Sequence, residues 1–160
     1  MERFDVIVIG AGHAGVEAAL ASARLGKKTL MLCTDYGTVS YMPCNPAIGG
    51  TAKGHLVKEI DALGGQMGLS ADKALLQIKT LNSAKGPAVF SLRGQEDKKV
   101  YHEIMLDVVR SEKNLTVLDS EASKVLTSGG KVCGVATADG KEFECSAVVL
   151  ATGVYLNGAI

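Results

Sequence analysis

The chain begins with a short apolar run that gives way to glycine. Residues 6–9 (VIVI) are β-branched or aliphatic without alternation, which is typical of a strand buried in the middle of a parallel sheet. GAGHAG follows at residues 10–15, and residues 14–25 then place small apolar side chains at helical spacing before Gly26. The pattern therefore predicts a strand, a glycine turn and a helix in immediate succession.

Each glycine of this turn has a distinct expected role. Gly10 permits the tight turn, Gly12 lets a pyrophosphate approach the backbone, and Gly15 lets the helix pack closely on the strand. The amides and the positive dipole end of that helix would face the diphosphate. A second buried strand at residues 29–32 completes a βαβ unit. We interpret the segment as a dinucleotide site; a glycine-rich turn without a ligand is the alternative.

One part of this pattern is missing. An acidic residue that binds the adenosine ribose is expected about 20 residues after the glycines. Cys33 stands at that place, and Asp35 comes slightly late. We therefore expect looser ribose recognition, through Thr34 or through backbone groups.

The middle of the chain mixes a long loop with two helical patterns. Residues 36–54, which include PCNPAIGGTAKG, are irregular and predict a loop that faces a substrate or cofactor. Residues 54–65 and about 95–112 are helical. The predicted core positions of these helices are Leu56, Val57, Ile60 and Leu63 in the first, and Val100, Tyr101, Ile104, Met105, Val108 and Val109 in the second.

The last third of the chain indicates which dinucleotide is bound. A strand at 115–118 precedes three β-type runs at 122–127, 132–138 and 142–146, and glycine-containing hairpin turns separate those runs. A buried strand at 147–151 follows and ends in ATG. A β-meander inserted at about 122–146 resembles the FAD domain of flavoproteins with two dinucleotide folds, whereas a decorative hairpin in an NAD domain is the alternative. The expected fold class is α/β: one Rossmann-like FAD-binding domain over residues 1–160, with a parallel sheet and an inserted antiparallel β-meander.

Charge adds a local feature to a neutral chain. Lys plus Arg and Asp plus Glu number 17 each, so no global field recruits nucleic acid or an anionic membrane. Between residues 72 and 99, however, basic residues outnumber acidic ones. This surplus suits contacts with nucleic-acid phosphates, and a solvated surface is an equal alternative. Its members are Lys73, Lys79, Lys85, Arg93, Lys98 and Lys99.

The cysteines, the histidines and the lengths of the apolar runs argue against disulfide-bonded, metal-binding and membrane-spanning proteins. The four cysteines form no CxxC pair, and Glu2, Arg3 and Asp5 oppose an export signal, so disulfides are not expected although one thiol can be reactive. The three histidines have no ligand spacing, so no metal site is expected. Every apolar run is far shorter than a membrane span. We expect a cytoplasmic protein with no membrane association.

Four segments together resemble one family. They are GAGHAG at residues 10–15, CNPAIGG at 44–50, KGHLVKEIDALGG at 53–65 and KGPAV at 85–89. In this combination they are similar to the N-terminal FAD domain of the MnmG (GidA) family, and the similarity covers nearly the whole chain. That family is the large subunit of the enzyme that installs the carboxymethylaminomethyl group on the wobble uridine of tRNA.

The resemblance implies a cofactor, partners and site residues. It implies FAD, NADH as reductant, methylenetetrahydrofolate as one-carbon donor, tRNA as substrate, an MnmE-type GTPase partner, and a homodimer for the full-length protein. Cys44 matches the family's loop cysteine, a candidate nucleophile toward C6 of uracil or a group that handles a flavin-bound methylene, with Lys53 and the helix after Gly54 favouring its thiolate. A small packing residue is the alternative for Cys44. The implied FAD contacts are Gly10, Ala11, Gly12, His13, Ala14, Gly15 and the backbone of Ala122.

The sequence departs from the family pattern in two places. The family has an arginine shortly after KGPAV, whereas this chain has Phe90, and Arg93 follows three residues later, which puts one anionic contact in doubt. The chain also ends at Ile160, whereas the family continues for much longer. We therefore expect an N-terminal piece that is inactive alone, with the reductant site and the principal tRNA-binding elements elsewhere. Another flavin-dependent oxidoreductase and a non-catalytic nucleotide-binding fragment are the alternative functions.

Overall fold

The structure, a computed structural model, describes residues 1–154 and 156. Ile160, at which the given sequence ends, lies outside the described residues. The chain divides into two compact units: the first contains Met1–Ser40 and Val108–Ile160, and the second contains Tyr41–Asp107. The assignment of residues 1–160 to one FAD-binding domain stays a prediction.

Nine strands and four α-helices make up the described part of the chain. In chain order they are β1 (Glu2–Ile9), α1 (His13–Arg24), β2 (Thr29–Cys33), β3 (Ala47–Gly49), α2 (Gly54–Ala62), α3 (Met67–Ala74), β4 (Leu75–Leu81), β5 (Ser91–Glu96), α4 (Lys98–Ser111), β6 (Leu115–Asp119), β7 (Ala122–Ser128), β8 (Lys131–Thr137) and β9 (Glu142–Leu150). The boundary between the two units falls inside α4.

The first unit is built on a six-stranded mixed sheet. Its strand order is β6-β2-β1-β9-β8-β7. The first four strands run parallel, and β9, β8 and β7 form an antiparallel meander. Because a βαβ crossover joins β1 to β2 and hairpins join the last three strands, the two patterns occur in one sheet. The predicted α/β class, with a parallel sheet and an antiparallel meander, is confirmed.

The meander continues directly into the parallel sheet. The sequence predicted separate strands at 142–146 and 147–151, and this was wrong, because β9 is a single strand from Glu142 to Leu150. Its first residues pair with β8, where Phe143 faces Val135. The same strand also pairs with β1 along nearly its whole length. Pairing with β1 continues past the predicted boundary, since Cys145 pairs with Phe4 and Ala147 with Val6, and this keeps the strand continuous there.

The core of the first unit joins the parallel strands to the meander. Phe4, Leu30, Leu32, Val135 and Phe143 belong to one buried cluster, in which the rings of Phe4 and Phe143 are 6.1 Å apart in an edge-to-face arrangement. The meander and the parallel strands therefore share one apolar core. Met31, between two residues of this cluster, is fully buried and points to the opposite face, since side chains alternate along a strand. Helix α1 contacts β1 and β2 with its buried face.

The second unit has its own small sheet. The strand order β3-β5-β4 is antiparallel throughout, and α2 and α3 pack beside it. The sequence predicted neither α3 nor β4 and β5, and it began α4 at about residue 95. The observed helix begins at Lys98, because the carboxylate of Asp97 accepts hydrogen bonds from the amides of Lys99 (3.0 Å) and Val100 (3.1 Å) and so caps it.

The two predicted helical core faces have different outcomes. In α4, Tyr101 and Met105 are fully buried as predicted, whereas Val100 is exposed. In α2 the predicted core face is correct only in part: Val57 and Ile60 are half-buried, whereas Leu56 is exposed and Leu63, just beyond the helix, is 90% exposed. The helix also turns Gly54 inward. A Cβ there would lie 2.9 Å from the hydroxyl of Ser91, so close packing on β5 sets the rotation of the helix.

Within the described residues, no helix is long and apolar enough to cross a membrane. All four cysteines are free thiols, of which Cys33 and Cys145 are buried and Cys44 and Cys133 are exposed.

Candidate functional site

The carboxyl ends of the four parallel strands of the first unit meet at one edge. Ligands of open α/β sheets bind at this edge. The backbone continues from one strand end to the next through hydrogen bonds: the amides of Gly10, Ser120 and Ala151 donate to the carbonyls of Leu32 (2.9 Å), Cys33 (2.7 Å) and Ile9 (2.8 Å). The glycine turn after β1 therefore lies between the ends of β2 and β9.

Two of the three glycines of this turn are required by the fold itself. Gly10 has a φ of 104°, and a Cβ there would lie 2.3 Å from the carbonyl oxygen of Ala151. A Cβ on Gly15 would lie 1.9 Å from the carbonyl oxygen of Gly10. Both distances are far below contact, so any side chain at either position displaces backbone. These positions have the turn and packing geometry that the sequence predicted.

Gly12 differs from both, because a Cβ there would meet no protein atom within 4 Å. It is the exposed N-cap of α1 and has no side chain to accept hydrogen bonds from the first-turn amides. The first turn also contains no acidic residue. The positive end of the helix dipole therefore faces open space, which is the geometry of an anion site.

The other predicted contact residues of the turn offer mainly backbone. His13 is half-buried, and desolvation lowers the pKa of its imidazole while the nearby Glu17 carboxylate opposes that shift. His13 is therefore neutral at pH 7 and adds no cationic charge. Ala14 is exposed, and Ala11 accepts a hydrogen bond from the amide of Ser40 (2.9 Å), which fixes the turn.

The end of β2 shows what stands in place of the expected acidic residue. The thiol of Cys33 donates to Oδ1 of Asp119 at 3.2 Å, and burial together with this carboxylate raises the pKa of Cys33 to about 12. Asp35 accepts from the amide of Gly37 (2.8 Å) and caps a short 3-10 turn. Thr34 is exposed. Sequence reasoning missed Asp119, an exposed carboxylate that ends the neighbouring strand; the polar residue after the apolar run of β6 was the available signal.

Ala122 also belongs to this edge. It begins β7, two residues after Ser120, and packs against the buried cluster that joins the parallel strands to the meander. Its backbone is paired with Thr137 of β8 in the sheet register. The structure thus places Ala122 in the same unit as the glycine turn.

In the second unit, Cys44 lies on a loop that is held at both ends. Met42 before it is buried, and the carbonyl of Pro46 after it accepts from the amide of Glu96 (2.8 Å). The thiol itself is exposed, which argues against the alternative that Cys44 only fills space. Gly49 is required by β3, because a Cβ there would lie 2.4 Å from the carbonyl oxygen of Leu92.

Several of the basic residues between 72 and 99 have identified neighbours. Lys98 lies over the ring of Tyr41 at 4.4 Å, and Lys99 approaches Glu103 at 4.0 Å. Lys79 and Arg93 are direct partners across β4 and β5, so their side chains leave the same face of the sheet. Within the predicted surplus of basic residues, these two are brought together by the pairing of β4 with β5.

Two further features bear on the predicted site. Phe90, at the place where the family resemblance implied an arginine, is half-exposed just before β5. Across the described residues, no group of three or more His, Cys, Asp or Glu side chains could hold a metal ion.

Comparison with known proteins identifies the family. The sequence model described as "Glucose inhibited division protein A" matches residues 5–160. The chain belongs to this GidA family. The chain is 57% identical over 158 residues to the tRNA uridine 5-carboxymethylaminomethyl modification enzyme MnmG of Heliobacterium modesticaldum, and 54% identical over 157 residues to the enzyme of the same name from Alkaliphilus metalliredigens.

These alignments cover 99% and 98% of the chain and 25% of each relative. The GidA chain described here therefore spans about a quarter of the length of the curated relatives it matches.

Solved structures agree with the fold. Aquifex aeolicus GidA superposes with a TM-score of 0.92 at 50% identity, over 96% of this chain and 25% of that one. The GidA-related protein from Thermus thermophilus superposes with a TM-score of 0.65 at 21% identity, over 96% of this chain and 54% of that one, and shares the fold.

Proposed function

We propose that the chain is the FAD-binding part of a tRNA-modifying flavoenzyme, and the open space at Gly12 is the observation that supports it most directly. A helix N-terminus without a side-chain cap, an acidic residue or a Cβ in front of it fits a diphosphate. Gly10, Ala11, Gly12, His13, Ala14 and Gly15 would hold that diphosphate, and the backbone of Ala122 would contact the adenine.

The chain's own residues bind and orient the cofactor. The first-turn amides of α1 bind the diphosphate, and neutral His13 leaves the charge balance to the helix dipole. The exposed carboxylate of Asp119 would accept a ribose hydroxyl in addition to the Cys33 thiol, since an ionised carboxylate can accept several hydrogen bonds. When bound, FAD supplies electron transfer and a carrier for the one-carbon unit.

Cys44 is the proposed nucleophile for the uracil ring. Its thiolate adds to C6, so an S–C6 bond forms and the electron pair of the C5=C6 bond becomes available at C5 for the one-carbon unit. Loss of the C5 proton then re-forms the double bond and expels the thiolate. The exposure of Cys44 on a loop held at both ends gives a polynucleotide substrate access to the thiol.

The carboxymethylaminomethyl modification of wobble uridine is the proposed reaction, because the relatives over 50% identical to this chain are named for it. The proposal includes NADH, methylenetetrahydrofolate, an MnmE-type GTPase and a homodimer, with sites mostly outside these residues. Action on tRNA places the protein in the cytoplasm.

The decisive experiment uses the full-length gene product. The purified protein should be yellow, and with methylenetetrahydrofolate, NADH and the partner GTPase it should modify unmodified tRNA, detected by mass spectrometry of the wobble nucleoside. Flavin-dependent NADH oxidation without any tRNA product would favour a different flavin oxidoreductase. A colourless protein without turnover would favour a non-catalytic nucleotide-binding fragment.

A further inference from the structure

The second unit contains a cavity that the proposed flavin site does not use. Its volume is about 190 Å³, and four elements build it. Helix α2 contributes Gly54, Val57, Lys58 and Asp61, helix α3 and the residue after it contribute Gly68, Ala71, Asp72 and Leu75, β5 contributes Leu92, Gly94 and Glu96, and β3 contributes Ile48 and Gly49.

The spacing of these residues explains why they meet. Both helical sets recur at i, i+3, i+4 and i+7, so each helix presents one face to the cavity. The strand residues alternate, so all three leave the same face of β5. Lys79 and Arg93 leave the other face of this small sheet. The cavity therefore lies on the other side of this small sheet from the basic pair Lys79 and Arg93.

Glu96 is the unusual group in this cavity. It is 2% exposed, and neither Oε1 nor Oε2 has a hydrogen-bond partner. Its carboxylate occupies the space over Gly94, where a Cβ would lie 2.5 Å from Oε1. Burying a carboxylate without a partner is costly, so buried acids in proteins are normally paired. Two unpaired oxygens that line a cavity point to a missing donor.

The groups that line the cavity indicate which kind of hydrogen-bond donor would bind to Glu96. Two free oxygens on one carboxylate match the two parallel N–H groups of a guanidinium, whereas an ammonium is a point charge. The cavity also has apolar walls at Val57, Ala71 and Leu92. These suit the weakly hydrated faces of a guanidinium better than a strongly hydrated ammonium.

We propose that this cavity binds a guanidinium group through Glu96, with Asp61 and Asp72 adding negative charge around it. The group comes from an arginine side chain or from a small guanidine, since about 190 Å³ is smaller than a typical drug-sized pocket of ~300 Å³ or more and holds only a head group with a few carbons. Among the described residues that line the cavity, Lys58 is the one basic group, and the three carboxylates outnumber it.

Protonation of Glu96 makes binding depend on pH. Burial, with a smaller effect of the Asp72 charge, raises the pKa of Glu96 to about 7. The charged groups facing it are Lys58 and Asp61 from α2 and Asp72 from α3. A guanidinium binds only the carboxylate form, so it should bind more tightly at pH 8 than at pH 6.

The test measures binding of methylguanidinium to the full-length protein by calorimetry at pH 8. Glu96→Gln keeps the shape and removes the charge, and it should weaken binding at least about tenfold and abolish the pH dependence. Glu59→Gln is the matched control, because Glu59 is exposed on α2 and does not line the cavity. It should bind within about twofold of the wild type.

Two neutral or differently shaped probes define the class. N-methylurea has a shape similar to that of methylguanidinium but no charge, and methylammonium has the charge but not the two parallel N–H groups. Both should bind at least about tenfold more weakly than methylguanidinium. Equal binding of methylammonium and methylguanidinium would overturn the guanidinium assignment. No methylguanidinium or arginine-peptide binding to the wild type, or undiminished binding to a folded Glu96→Gln protein, would overturn the site.

The source of the group is decided by a second pair of ligands. An N-acetyl arginine amide that binds much more tightly than methylguanidinium supports an arginine side chain, and equal affinities support a small guanidine. The matching citrulline amide should not bind in either case. Because the flavin content of Glu96→Gln is measured on the same samples, a loss of guanidinium binding with FAD retained separates this site from the proposed flavin site.

Discussion

A Cβ on Gly15 would lie 1.9 Å from the carbonyl oxygen of Gly10, so these two glycines fix the distance between α1 and the end of β1. Gly12 lies between them in sequence, yet its own Cβ direction is open. Backbone packing thus requires glycine at residues 10 and 15, whereas Gly12 leaves space in which a ligand can bind.

Substitution at Gly12 should therefore separate folding from cofactor binding. Gly12→Val should leave the fold intact, because its backbone is extended and no protein atom lies within 4 Å, but the branched side chain would occupy the place of the diphosphate. We expect FAD binding at least ~100-fold weaker, or about 2.7 kcal/mol. Flavin absorbance and circular dichroism of the full-length protein measure the two effects. A yellow, fully loaded Gly12→Val protein would contradict the assignment.

Two neighbouring variants are the controls for that experiment. Gly15→Ala should lose the fold together with FAD, since its Cβ collides with backbone. His13→Ala should retain FAD nearly unchanged, because a neutral, half-buried imidazole adds no charge to the site.

The strand, glycine turn and helix at the start of the chain could be predicted from the sequence because their constraints are local. The β-branched run, the glycine spacing and the small-faced helix occupy one continuous segment, and the pairing of β1 with β2 follows from the βαβ connection. The sequence marked Asp119 only as a polar residue after the apolar run of β6, because its place beside Cys33 depends on β6 pairing with β2, which is far from it in sequence.

The second unit was harder to predict, and α2 shows why. Its apolar residues suggested a core face at Leu56 and Leu63, but the helix is rotated by the close approach of Gly54 to β5. In β4, apolar and polar residues alternate only briefly, as at Leu76, Gln77 and Ile78. The side chains on both faces of this strand are exposed, so the alternation is a weak signal for a strand. Elements whose apolar side chains are not buried carry little periodic signal.

Cys44 gives a second prediction, for catalysis. Cys44→Ser should retain FAD and the fold but lose tRNA modification by at least ~100-fold, since a hydroxyl is a far poorer nucleophile without an adjacent base. Cys133→Ser is the matched control, because Cys133 is also an exposed thiol but lies on β8 outside the proposed site. Turnover of Cys44→Ser within a few fold of the wild type would exclude the nucleophilic role.

Glu96 gives a third prediction, for stability against pH. Its pKa is raised from 4.5 to about 7 in the folded protein, chiefly by burial. The folded state thus binds this proton more tightly than the unfolded state, so the associated stability is present below pH 4.5 and is lost as the pH rises through about 7. Thermal unfolding should show that Glu96→Gln gains stability relative to the wild type between those pH values, and Glu59→Gln should show no such trend. A difference that is flat with pH would mean that the pKa of Glu96 is the same in the folded and unfolded states.

Lys79 and Arg93 give the last prediction, for tRNA binding. Like charges placed directly opposite on two strands destabilise a sheet by a few tenths of a kcal/mol or more, so Lys79→Gln should leave the free protein as stable as the wild type or slightly more stable. If the pair contacts a phosphate, the same change should weaken tRNA binding and lower the slope of log K against log salt by about one. Lys113→Gln, an exposed lysine in the other unit, should change neither quantity. An unchanged salt slope for Lys79→Gln would assign the pair to the solvated surface, because loss of a phosphate contact necessarily reduces the number of counterions released.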